Sequence, residues 1–206
     1  MMFDLEKTAE LERLFAIPRE ERNDTWREAF FAAVPDASLA TFAEQVAYGP
    51  DGNPYFRLAV PEPGPFETFC LRHVLDGCLE NGVGVVVLSR DGEAEWVFAY
   101  GDLWGFKESG RFPAGGPPAV VTERRPATVG PPNEAMLPAY ARRVLRRVFE
   151  EDGVTDAEVW LVHAPGLDPE RSFAFRPAPS RGLLWYVRRD LGVLTAQEGW
   201  GPGLPL

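Results

Sequence analysis

The segment VGVVVLS, residues 83–89, constrains this chain more than any other. Seven residues with almost no polar side chain need cover on both faces when extended, as in the interior of a sheet. RDGE then turns the chain and EWVFAYG returns, so the two segments read as a hairpin. In the returning strand Trp96, Phe98 and Tyr100 alternate onto one face, with Val97 and Ala99 on the other. Both faces are apolar or aromatic, which predicts a central strand here as well.

Helical patterns flank this hairpin. Asp4 is placed to cap a helix through Leu5, Leu11, Leu14 and Phe15, which Pro18 ends. Pro18 suits the first turn of a second helix presenting Trp26, Phe30, Ala33 and Val34 on one side. ATFAEQVAY and PYFRLAV flank the turn GPDGN and read as a further hairpin. FETFCLRHVLDGCLEN then has helical spacing, with Phe66, Cys70, Val74 and Cys78 four apart and Asn81-Gly82 as its stop.

A stretch dense in proline and glycine, residues 113–132, reads as a linker holding one short strand at AVVTE. Beyond it, Pro138 fits the first turn of a helix running to about Glu151, and Gly153 ends that helix. AEVWLVH, SFAFR and GLLWYVRR read as strands, and the tail EGWGPGLPL as extended chain. Residues 66–101 and 138 onward thus repeat one order: helix, strand, turn, strand. The expected fold is α+β, two such units with largely antiparallel sheet after an N-terminal helical segment. The expected organisation is 1–112, a linker at 113–132, and 133–206, with one compact domain as the alternative.

The chain has 206 residues, 45% of them hydrophobic and 25% charged, which is the composition of a folded globular protein. Its formal net charge of −10 argues against general affinity for nucleic acid, which depends on neutralising phosphates, and against anionic membrane surfaces. No apolar run approaches the roughly 18 to 20 residues that span a bilayer. The first residues, MMFDLEKTAELERLF, are acidic and amphipathic rather than basic then apolar, so no secretory signal is expected. Cys70 and Cys78 on one helix would stand about 12 Å apart, too far for a disulfide. A bacterial cytoplasm is the expected setting.

No catalytic signature emerges. Cys70, His73 and Cys78 lack a second ligand pair, and two core thiols beside a flanking histidine explain them. His163 ends a strand without an assigned nucleophile. Gly82 and Gly84 follow a helix and open a strand, the reverse of a phosphate-cradling loop. Glu93, Glu95, Asp102 and Glu108 read as a solvated acidic rim. No cofactor and no metal are expected.

Two places could receive a partner. After Gly101 the aromatics continue, so Asp102, Leu103, Trp104 and Phe106 form a turn that either plugs the core or presents a binding patch. In ARRVLRRVFEED, helical spacing puts Ala141, Val144, Leu145 and Val148 on the core side. Arg142, Arg143, Arg146 and Arg147 lie opposite, able to grip phosphate or an acidic partner, or simply to be solvated. The functional expectation is a non-catalytic protein-binding module, with a protein partner or a second copy of the chain. An enzyme or small-ligand binder using a cleft between the halves, with His73, His163, Asp102 and the arginine face contributing, is the alternative.

Residues from about 128 to 165 resemble the C-terminal domain of the SseB-like family, named for enhanced serine sensitivity. A Gly-x-Pro stretch (Gly130, Pro132) leads to a helix with Leu137 and Leu145. A Gly153-Val154 step then precedes a strand carrying Ala157, Val159 and Leu161. The resemblance implies an α+β module and carries no catalytic residue onto this chain.

Overall fold

A computed structural model describes residues 4–112, 126–166, 170–178 and 192–206. The chain divides into two units, Met1–Ala99 with Ser109–Phe112, and Tyr100–Glu108 with Pro113–Leu206. The expected AVVTE and GLLWYVRR strands lie outside the described residues. The fold class is α+β, as the alternation of helical and strand patterns predicts.

The first unit opens with α1 (Leu5–Phe15), whose cap is Asp4: its carboxylate accepts from the backbone N–H groups of Glu6 and Lys7. Pro18 does not start the second helix. It precedes one 3₁₀ turn, Arg19–Glu21, and α2 (Asp24–Ala33) begins at Asn23, whose side chain accepts from Trp26 N. An Asx cap outcompetes the proline because it satisfies one of the backbone donors left open at a helix start.

Four strands, β1 (Val46–Tyr48), β2 (Pro54–Ala59), β3 (Gly84–Leu88) and β4 (Ala94–Phe98), form a sheet in sequence order. Both expected hairpins are present, β1–β2 and β3–β4. Between them β2 and β3 run parallel, so the chain needs a crossover, supplied by α3 (Leu71–Asn81). That helix starts later than the residue spacing predicts. The backbone of Phe69 exchanges two hydrogen bonds of 2.7 Å with Leu39, which holds residue 69 extended and leaves Cys70 as the helix cap. The buried stripe is Leu71, Leu75, Cys78 and Leu79, and Gly82 closes the helix at φ 67° as expected.

β4 is an edge strand rather than a central one. Trp96 and Phe98 pack their rings against Phe30 and Phe31 of α2, while Val97 on the other side is 38% exposed. Phe112 stacks on Phe98 with ring centroids 4.4 Å apart, which joins Ser109–Phe112 to this unit. Arg22 ties the helices to the sheet. Its guanidinium donates to the carbonyls of Phe15 and Ile17, lies 4.7 Å over the Trp26 ring, and reaches Glu95 on β4 at 2.8 Å. That last contact is ionic rather than a well-directed hydrogen bond, and both side chains are almost fully buried.

The second unit is a mixed sheet of β5 (Thr128–Gly130), β6 (Glu158–His163), β7 (Arg171–Arg176), β8 (Gly192–Thr195) and β9 (Leu204–Pro205). β5 is built from residues expected to be linker, and β8 from residues with no expected strand. β6 and β7 form the expected hairpin, whereas β7 and β8 are parallel. One side of β6 is shared: β5 pairs with Leu161–His163 and β9 with Glu158 and Val159. The extended tail is held there by Trp160, whose indole N–H donates to the Gly201 carbonyl, and Leu206 is buried. Among the described residues two helices complete the unit, α4 (Tyr100–Ser109) and α5 (Ala139–Glu151).

Candidate functional site

The stretch expected to turn at Asp102 is helix α4, and every residue from Tyr100 to Phe106 is buried. Trp104 is fully buried; its indole N–H donates to Glu108 Oε1 at 2.7 Å, and its ring lies about 6 Å from those of Tyr100, Tyr140 and Phe173. Of the two expectations for this stretch, the plug is what the structure contains. The binding patch is corrected: Asp102, Leu103, Trp104 and Phe106 are 5%, 0%, 0% and 3% exposed and offer a partner no surface. The physical reason is that the first seven residues of α4, apolar or small except for Asp102, are enclosed on all sides, whereas Lys107, Glu108 and Ser109 at its end are exposed.

α5 buries the predicted Ala141, Val144 and Leu145, but Phe149 rather than Val148 completes the stripe and Arg142 is not fully on the outer face. Ala141, Val144, Leu145 and Phe149 are buried, Arg142 and Val148 are half-buried, and Arg143, Arg146 and Arg147 are exposed. Its start is fixed by Glu134, whose Oε1 accepts from Ala139 N at 2.7 Å, and its end by Gly153 at φ 80°. The structure brings the two groups of candidate residues onto neighbouring helices, since Trp104 of α4 packs on Tyr140 of α5. Burial and the nearby Tyr140 push the Tyr100 phenol well above its ordinary value, while Arg147 and Arg143 pull in the opposite direction.

The arginines differ in their surroundings. Arg147 approaches Glu151 at 3.9 Å with both side chains well exposed, an arrangement worth little in water. Among the described residues, Arg142, Arg143 and Arg146 form no ion pair. Like charges three and four residues apart repel by roughly 0.2–0.5 kcal/mol per pair in a helix.

The remaining candidates do not converge. His73, Asp76 and Glu80 are exposed on α3, whereas Cys70 and Cys78 are buried free thiols. His163 lies 3.8 Å from Glu170, whose carboxyl is held below its usual range mainly by the Gly166 N–H, and then by His163. Among the described residues no group of three or more His, Cys, Asp or Glu side chains is arranged to hold a metal ion.

One feature without a sequence expectation is an open hollow of about 710 Å³ bounded by residues 153–158, Arg176, Pro177, Pro205 and Leu206. Arg176 lies 4.9 Å over the Trp160 ring and pairs with Glu158 at 3.5 Å. The hairpin register of β6 and β7 sets Glu158 opposite Arg176, and that much could be foreseen; the return of β9 could not.

Comparison with known proteins adds no relative: no family model, no curated protein and no solved structure matches this chain.

Proposed function

We propose that this chain is a non-catalytic protein-binding module, acting in a bacterial cytoplasm as an adaptor, regulator or inhibitor, and that the outer face of α5 is its contact surface. The observation carrying this is the concentration of Arg142, Arg143, Arg146 and Arg147 within two turns of a single helix, the last three of them exposed, in a chain of net charge −10. Arginine supplies planar, bidentate donors suited to carboxylates, and is enriched where proteins meet. No helix of the described residues is long and apolar enough to cross a membrane. The passage that resembles the SseB-like C-terminal domain contains this helix, and kinship with that family belongs to the same proposal.

The test compares native-lysate capture by the wild type and by Arg143→Glu/Arg146→Glu, two exposed positions without ion pairs. A specific protein captured by the wild type and lost by the variant is the expected outcome, with circular dichroism and melting unchanged. Identical capture by both chains, or none by either, overturns the reading.

A further inference from the structure

We infer that segment 200–206 is an exchangeable strand, and that the edge of β6 it covers takes the same segment from a second copy of this chain. This surface shares no residue with α5 and is independent of the reading of that helix. A strand edge with open N–H and C=O groups pairs with any extended chain that reaches it. On β6 that edge is covered in two short pieces. β5 pairs only with Leu161–His163, and Pro131 and Pro132, which follow it, lack the N–H a ladder needs. β9 pairs only with Glu158 and Val159, and Pro202 and Pro205 again bring no N–H. Two further bonds hold the segment: the Trp160 indole N–H donates to the Gly201 carbonyl, and Leu206 N–H donates to the Ala157 carbonyl, both at 3.0 Å. So short a pairing closes the edge and still lets the segment leave.

The seat is shaped for this sequence. Trp200 meets Trp160 edge-on with ring centroids 6.1 Å apart. A Cβ at Gly203 would come within 2.8 Å of the Trp160 ring, so the backbone reaches that ring only as glycine. Leu206 is buried beyond it. A second copy carries the same pattern, which is why it is the occupant that fits. The connection to the segment's own sheet is slight by comparison. β8 ends at Thr195, and an exposed turn at Glu198 and Gly199 directs the chain towards Trp160, with Gly199 at φ 87°. Residues other than glycine adopt that conformation at a cost. Opening this one hinge carries 200–206 away from its own β6 and leaves every contact to be remade on another. In the resulting pair each β6 is completed by the other chain, a closed twofold arrangement. The hollow of about 710 Å³ beside Pro205 and Leu206 leaves the end of the seat open to approach.

The experiment follows the full chain by analytical ultracentrifugation as its concentration rises. The wild type should be monomeric when dilute, with dimer appearing towards about 1 mM, the effective concentration of a segment on a short tether. Gly199→Val strains the hinge only when it is closed, and should bring dimerisation to a concentration lower on the order of tenfold. Gly203→Val clashes with Trp160 in either chain, so Gly199→Val/Gly203→Val should remain monomeric. Cross-linking distinguishes exchange from side-by-side association. Glu158 and Pro205 are partners in register, so Gly199→Val chains carrying Glu158→Cys, mixed with Gly199→Val chains carrying Pro205→Cys, should oxidise to a covalent pair of one chain of each kind. The native Cys70 and Cys78 are buried. A Gly199→Val chain that stays monomeric throughout, a dimer of Gly199→Val/Gly203→Val, or a dimer without the mixed cross-link would each overturn the inference. If Gly203→Val fails to fold, the cross-link alone decides.

Discussion

Trp104 decides how α4 is to be understood. Its ring is enclosed by Tyr100, Tyr140 and Phe173, and its one polar atom is satisfied by Glu108. Trp104→Ala should cost about 3–5 kcal/mol, measured by urea unfolding, as large aromatics truncated in cores do. A loss below about 1 kcal/mol would return the ring to the surface. Cys78 gives a second reading at the same scale. Burial pushes its thiol from an ordinary 9.0 up to about 12. The unfolded chain releases this proton first, so the contribution is fully present below about pH 9 and is lost as pH rises towards 12. The buried Tyr100 phenol, also raised, acts with the same sign. Stability should therefore fall from about pH 9 to about pH 12, and Cys78→Ala should shallow that fall. An identical slope in the variant would mean the thiol is solvated.

Among the elements, the junction made by Arg22 couples the C-terminal carbonyls of α1, the Trp26 ring of α2 and Glu95 on β4. Removing one member of a buried ion pair leaves the other charged and unpaired, so Arg22→Ala should destabilise by roughly 3 kcal/mol. Arg22→Met combined with Glu95→Leu should recover most of that loss in a thermal melt; a double variant no better than the single one would rule out an unpaired charge as the cause. Nothing in Arg22 or Glu95 alone announces this contact, because it joins residues 73 positions apart in a sheet edge the sequence places at the centre. Elements with strong local signals were legible: the Asp4 cap, the GPDGN hairpin, the apolar run of β3 and the two faces of α5. Elements made by distant partners were not. Phe69 is extended because Leu39 holds it, and β5 and β9 are strands because β6 offers an edge. α4 defeats periodicity: Gly101 and Gly105 lower its intrinsic helicity, and burial of every residue from Tyr100 to Phe106 removes the polar face that would mark it.

For the whole molecule, the repeated order of helix and hairpin survives in α3–β3–β4 and α5–β6–β7, but the sheets around them differ. β2 runs parallel to β3 across α3, whereas β5 runs antiparallel to β6 across α5. Strand polarity depends on where a chain re-enters a sheet, and no local pattern encodes that. The helix that carries the arginines, by contrast, was legible from helical spacing and Pro138, although the half-burial of Arg142 was not. The place of α4 carries a consequence for inheritance. The proline- and glycine-rich stretch after Phe112 looks like a natural seam, yet α4, encoded before it, belongs with the unit whose remaining sequence follows it. A gene broken at codon 112 would ship Leu103, Trp104 and Phe106 with the wrong half, stripped of Tyr140 and Phe173. Each product would lack packing partners that the other carries, so that apparent seam does not coincide with the boundary between the units.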